Sequence, residues 1–269
     1  MNHRYLVVAV IAAGCAPMVS AQEAINFNSA LQPAKGATIV RQQLRYFEAD
    51  FANAMVNRHI EQYQLSTTIV HGLEPDLTLI FNAPFRFRKI EDNLSGASHR
   101  DEGFADMTAL VKYQLYHIDT GPTDTARLNL LGGMEVRSGD SNFSSDSYDP
   151  LLGLVYTQSR GRHGFDADLL WKFNTNGSDP DRLRYDAAYV YRLQPESYGP
   201  DRMTALFAVL ELNGYYETNG DNELFLSPGI QYVTRKWALE ATVQLPIWQE
   251  LDERMERDFI LGLSLRMHF

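Results

Sequence analysis

The chain ends in FILGLSLRMHF, residues 259–269. Phe259, Leu261, Leu263, Leu265, Met267 and Phe269 occupy alternate positions, and Ser264, Arg266 and His268 fall between them. Side chains on a β-strand point to opposite faces in turn, so this pattern predicts a strand with one wholly apolar face. No transmembrane helix is needed to explain it, because the apolar residues never form a continuous run of about 18.

The same alternation recurs upstream. Leu77, Leu79, Phe81, Ala83 and Phe85 share a face, as do Met107, Ala109, Val111, Tyr113 and Leu115. Leu128, Leu130, Gly132, Met134 and Val136 face away from Arg127, Asn129, Glu135 and Arg137. Further segments near 63–69, 152–156, 165–173, 183–191, 206–212, 224–232 and 237–245 repeat the theme. A less regular one at 42–51 places Phe47, Ala49 and Phe51 on the apolar side. With the C-terminal strand this makes about twelve, an even number as single-chain bacterial barrels require. None of these apolar-face positions is Asp, Glu, Lys or Arg. A Lys or Arg there would cost about 2–4 kcal/mol at a bilayer midplane, whereas a watery lumen tolerates charge. A soluble β-sandwich also alternates, but it must bury all these faces against a second sheet. The predicted fold class is therefore all-β: a transmembrane, antiparallel, up-and-down β-barrel of about 12 strands. The mean hydropathy is mildly negative, as expected of strands polar on one side.

Connections are expected to alternate, with short periplasmic turns at 71–76, 159–164 and 234–236. Longer outer loops are expected at 88–103, 138–149, 216–223 and 248–257. Phe85, Trp171, Phe173, Tyr191, Tyr232, Trp237 and Trp248 fall near strand ends, where interfacial aromatic girdles sit.

At the other end, Arg4, a short apolar stretch at 6–13 and Val19-Ser20-Ala21 have the order of a secretory signal peptide. The organisation read from the sequence is a signal peptide at 1–21, an N-terminal extension or plug at 22–40, and the barrel at 41–269. The competing reading is lipoprotein processing at Cys15, against which stands Ala12 three residues before it. Cys15 is the only cysteine, so the exported chain has no thiol chemistry, disulfide or cysteine metal site. Without Arg4 the balance is 23 basic against 34 acidic residues, a sign that disfavours nucleic acid. No cofactor or metal site is indicated: the acidic loop around Asp140, Asp146 and Asp149 lacks the spacing of a calcium loop.

Charges on the polar faces are candidates to line the lumen. These are Asp106, Lys112, Arg127, Glu135 and Arg137, then Asp166, Asp168, Lys172, Arg184 and Asp186, and finally Arg192, Glu211, Glu240 and Arg266. Both signs occur, which gives no one-sign filter. Pairing of opposite charges between neighbouring strands is the plainer use of them, and lining a solute path the sharper one. Residues 22–40 precede the first strand and, at about 60 Å extended, are long enough to enter the lumen, with Ile25, Phe27 and Leu31 to dock there. A tail outside the barrel is the alternative. No histidine of the exported chain stands in a local arrangement with Ser and Asn that signals a barrel hydrolase. His99 with Asp101, in an outer loop, is the nearest approach to acid–base chemistry, and no catalytic residue is assigned.

Several segments resemble a known family. They are Leu31-Gln32-Pro33-Ala34-Lys35-Gly36 with Val40-Arg41, and His71-Gly72-Leu73 through Asp76-Leu77-Thr78-Leu79 to Ala83-Pro84-Phe85. Gly103-Phe104-Ala105-Asp106-Met107-Thr108, Gly132-Gly133-Met134-Glu135 and Leu226-Ser227-Pro228-Gly229-Ile230-Gln231-Tyr232 follow. Together they are similar to the outer-membrane barrel family labelled as transporters of the meta-pathway of phenol degradation. Arg137-Ser138-Gly139 departs from that family's usual Pro-Thr-Gly. The resemblance implies a cell outer-membrane channel or transporter passing a small solute, aromatic or hydrophobic by the label. The implied partners are outer-membrane lipid, the solute itself, and the barrel-assembly machinery acting on a C-terminal strand that ends at Phe269. A closed structural barrel, or a barrel hydrolase acting on outer-leaflet lipid or peptide, is the alternative function.

Overall fold

The computed structural model describes residues 22–52, 57–121, 123–177, 179–198, 204–252 and 254–269. The expected signal peptide and its cleavage site lie outside the described residues.

Among the described residues thirteen strands form one antiparallel sheet. They are β1 (Thr38–Ala52), β2 (Asn57–Glu74), β3 (Leu77–Asp92), β4 (Ala97–Phe104), β5 (Met107–Asp119), β6 (Thr125–Val136) and β7 (Asp149–Arg160). The series continues with β8 (His163–Lys172), β9 (Arg182–Gln194), β10 (Ala205–Glu217), β11 (Asn222–Val233), β12 (Trp237–Glu250) and β13 (Glu256–His268). β1 pairs antiparallel with both β2 and β13, so the sheet closes on itself. β4 and β5 form one stave: β4 pairs the upper part of β3 and β5 its lower part. The Ala105 N–H bonds Pro84 O between them at 2.9 Å, leaving Asp106 as a one-residue bulge. The result is a closed antiparallel barrel of twelve staves. It has a turn rim, which carries Gln22 and Phe269, and an opposite loop rim.

Closure removes the free edges that an open sheet leaves unbonded, which is what a hydrocarbon solvent demands. The outward face supplies the rest of that argument. Leu263 is 57% exposed, Leu239 52% and Leu169 51%, although an aqueous protein would bury such side chains. Directly behind them, Ser264, Glu240 and Asp168 point inward and are buried. Rings mark both margins of the belt. Tyr46 stacks 4.7 Å from Tyr63 and Phe85 lies 4.9 Å from Phe104 toward the loop rim, while Tyr232 and Trp237 are 5.6 Å apart toward the turn rim.

Two sequence expectations are corrected. In β1 the apolar face was assigned one residue out of register. Leu44 and Tyr46 pair with the exposed Leu65 and Tyr63, so they face outward. Phe47 and Ala49 point inward, where Phe47 lies under the Arg257 guanidinium and Ala49 is buried. A shift of one residue exchanges the faces of a whole strand, and β1 hides it because its outward row carries Glu48, hydrogen-bonded by the Tyr46 hydroxyl. Second, the outer connection at 88–103 is mostly strand, and those at 216–223 and 248–257 are half strand. β3 and β4 stay paired from Phe85↔Phe104 to Asp92↔Ala97, above the span of about 9–11 residues that a membrane needs. Alternation stops there because neither face meets lipid, but the backbone ladder continues.

The 137–148 loop folds back onto Asp106. This carboxylate accepts the N–H groups of Ser138 (3.0 Å), Gly139 (2.8 Å) and Ser145 (2.6 Å), and the Ser144 hydroxyl at 2.9 Å. These donors satisfy a carboxylate that is almost fully buried. Asp106→Ala is expected to loosen the loop by about 2 kcal/mol at neutral pH. Amide exchange at Ser138, Gly139 and Ser145 measures it.

Candidate functional site: the barrel lumen

Residues 22–32 lie inside the barrel, and 33–37 leave it at the turn rim, where Ala34, Lys35 and Gly36 are exposed. The lumenal residues form no ladder, so each of their backbone groups must find a side-chain partner or stay unsatisfied. The wall provides these partners by charge type. Acceptors take the N–H groups: Ala24 N–H bonds Asp166 at 2.9 Å, Ile25 and Asn26 N–H bond Glu211 at 2.5 and 3.2 Å, and Ala30 N–H bonds Thr157 Oγ1 at 2.8 Å. Donors take the carbonyls: Lys112 Nζ bonds Ser29 O and Leu31 O at 2.8 and 2.5 Å, Asn129 bonds Ala30 O at 2.7 Å, and Gln231 bonds Glu23 O at 2.8 Å. Arg41 bonds Ile25 O, and Arg45 bonds Asn26 O at 3.3 Å.

These contacts trace a re-entrant loop. Gln22 sits at the turn rim, where it bonds Gly161 O at 3.5 Å. The chain rises to Asn26 and Asn28, which meet Arg45 and Asp168 near mid-barrel. It then descends to Gln32, 3.4 Å from Asp76 O, and to Gly36, which bonds Gly72 O at 2.8 Å. Ser29 and Glu23 close the base of the loop at 3.0 Å. Apolar inward residues of the wall receive its side chains: Ile25 packs with Val190, Phe207, Val209 and Val233, and Phe27 with Ala188.

One glycine shows how closely the wall is fitted. A Cβ on Gly72 would stand 2.4 Å from Ala34 O and 2.8 Å from Pro33 O, and its three nearest neighbours all belong to the lumenal segment. Gly72→Val should therefore displace the segment while leaving the ladder intact. The expected result is cleavage of residues 22–36 by added protease in a barrel that still migrates as folded on an unheated gel. Unchanged protection would contradict the fit.

Above the segment, near the loop rim, a second group of charged pairs lines one side of the wall. Arg182 pairs with Glu217 at 2.6 Å, and Arg254 with Glu223 at 2.7 Å. Arg257 also bonds Glu223, and its guanidinium lies 5.1 Å from the Phe225 ring, 5.8 Å from Tyr215 and 5.9 Å from Phe47. Glu217 and Glu223 are almost fully buried.

The charges proposed from the sequence fall as follows. Lys112, Asp166, Glu211 and Glu240 point inward, the first three onto the lumenal segment and Glu240 onto Arg41 at 2.6 Å. Arg266 bonds Glu23 at 2.9 Å and Glu240 at 3.2 Å. Arg184 joins Asp168 (2.6 Å) and Asp186 (2.9 Å), and Lys172 joins Glu135 at 3.0 Å. Arg127 lies at the turn rim by Thr125, and Arg192 lies under the Tyr198 ring at 4.2 Å. Asp106 holds the loop described above. Arg137 does not line the wall: it stands in the 137–148 loop, paired with Asp146 at 2.9 Å and more than half exposed. Sequence reasoning missed Arg41 and Arg45 through the register slip in β1. It missed Glu217, Glu223, Arg254 and Arg257 because they were assigned to loops. Thr157 and Gln231 were missed because only charged residues were counted.

No family model and no curated relative matches the sequence. Solved structures do resemble the fold. An outer-membrane channel from Pseudomonas putida F1 superposes with a TM-score of 0.58 at 16% identity, covering 91% of this chain and 100% of that one. The translocator domain of the autotransporter NalP from Neisseria meningitidis gives 0.50 at 11% identity, covering 88% and 89%. In fold, this chain is similar to the β-barrels of outer membranes, a channel among them.

Proposed function

We propose that the protein is an outer-membrane channel for a small solute, with the turn rim in the periplasm and residues 22–36 acting as a plug inserted from that side. The observation that carries this reading is the lumenal segment itself. A barrel built only for structure needs no removable peptide in its bore, and here wall side chains of both signs are spent on holding one. The inward residues Asp168, Arg184, Asp186, Lys172 and Glu135 would then line the path, paired while the plug is seated. The resemblance to phenol meta-pathway transporters supports an aromatic or hydrophobic solute.

Planar-bilayer recording of the purified exported chain tests the reading. Rare, small openings are expected from the plugged protein. A bilayer that stays silent with both the intact chain and a chain lacking the plug would leave a closed structural barrel, and esterase activity in that silent protein would favour a hydrolase.

A further inference from the structure

The wall is not sealed along its whole height. β12 and β13 are laddered from Trp237↔Met267 to Gln244↔Ile260, and there the pairing stops. Above that rung β12 follows β11 to Asn222↔Glu250, and β13 follows β1 to Asp50↔Glu256. Residues 245–248 and 256–259 therefore face each other without a ladder, over a height of about 13 Å. Three features of the sequence produce the split. Pro246 supplies no N–H. Ile247 is the extra residue of a bulge in β12, between Phe225↔Pro246 and Leu224↔Trp248. Asp258 is the extra residue of a bulge in β13, between Glu48↔Phe259 and Ala49↔Arg257. Bulges bend and twist the strands that carry them, which parts these two.

What spans the split is one side chain. The Gln249 amide donates to Arg257 O at 2.9 Å, and the Arg257 N–H donates to Gln249 Oε1 at 2.9 Å. Among the described residues no other hydrogen bond joins the two strands above Gln244. On the outside, Leu245, Ile247 and Trp248 are exposed, the last two by 54% and 51%, at the level of the ring girdle. On the inside, Phe225, Tyr215 and Phe47 surround the Arg257 guanidinium. The seam between β4 and β6 also lacks a ladder, but there the 137–148 loop covers the gap, with Asp140 N–H bonded to Phe104 O at 2.8 Å.

We propose that the split between β12 and β13 is a lateral port. A small, uncharged, lipid-soluble molecule in the outer leaflet passes between Trp248 and Phe259, displaces the Gln249 bridge, and is received by the rings around Arg257 above the plug. The port rests on the channel reading, since a received molecule must still leave through the bore. Its ligand class follows from apolar groups on both sides of a gap closed by two neutral hydrogen bonds, a barrier of the order that side-chain rotation crosses.

Photolabelling tests it. The exported chain is reconstituted in liposomes with 3-(trifluoromethyl)-3-(m-iodophenyl)diazirine, which partitions into lipid, and with glutathione in the water to quench free probe. Mass spectrometry then compares Phe225 and Tyr215, which face inward, with Leu210, which faces lipid. The intact chain should label Phe225 weakly, Gln249→Ala should raise that labelling several-fold, and Leu210 should not change. Pro246→Thr combined with deletion of Ile247 and Asp258 removes all three causes of the split and should abolish it. Labelling confined to outward residues in both the intact chain and Gln249→Ala overturns the port. So does undiminished labelling of Phe225 in the repaired ladder, which would mean entry from the ends of the bore. Heat-shifted gel migration confirms that each variant is folded. Conductance is recorded separately, so a conducting protein that fails to label sinks the port alone, and a labelled protein that never conducts sinks the channel alone.

Discussion

Deletion of residues 22–36 should raise single-channel conductance roughly tenfold or more, because a twelve-stranded bore is wider than one that eight strands fill with side chains. The barrel should survive the loss. Its twelve staves pair with each other, and the segment's backbone bond to them, Gly36 N–H to Gly72 O, lies at the turn rim, so the ladder between staves is unaffected. Arg266 keeps Glu240 when Glu23 is removed. Asp166, Glu211 and Lys112 lose peptide partners, but the vacated bore admits water to them. The stability cost is then the exposure of the pocket that held Ile25 and Phe27, about 1.5–3 kcal/mol for each side chain. Equal currents from the intact and shortened chains in planar bilayers would end the plug proposal. Arg41 offers an intermediate case: Arg41→Ala removes a donor to Ile25 O and a partner of Glu240, and should give longer openings without a larger unitary current.

The second large effect concerns the belt. Leu263 sits midway along β13, points outward and pairs with Leu44 and Ala241. Leu263→Arg should destabilise the barrel by about 2–4 kcal/mol in lipid, measured as a lowered urea midpoint for unfolding from liposomes. Leu94 is the control. It is 62% exposed in the β3–β4 turn, above the belt, and Leu94→Arg should leave the midpoint unchanged. Equal midpoints for the two variants would mean that Leu263 faces water or a second sheet, and the membrane reading would fail with it.

The sequence made the staves readable for the reason that the belt variant exploits. An outward row such as Leu261, Leu263 and Leu265 admits no charge, so its period of two survives in the residue types. β1 shows where that signal weakens. Its inward row includes the apolar Phe47, which serves the guanidinium of Arg257, and its outward row carries Glu48 and Asp50 above the lipid. The pattern then favours the wrong face. Arg45 could not be assigned to the bore until that face was corrected. The pairings inside the bore were unreadable for another reason. Arg184 finds Asp168 on the neighbouring stave, two residues from its direct partner Leu170, and that diagonal depends on the pairing register between strands, which no single strand encodes. The lumenal segment gave only three apolar residues as a sign of docking, because the wall grips its main chain.

That grip has an evolutionary corollary. Asp166, Glu211, Lys112 and Asn129 meet amide groups that every non-proline residue possesses, so they do not depend on which amino acids fill most of positions 24–31. Drift there is cheap provided that the length is kept and no bulky group meets the wall beside Gly72. Drift in the four wall residues is costly, since each change strands a peptide group away from water. Across descendants of this chain, the socket should therefore vary more slowly than the peptide it holds.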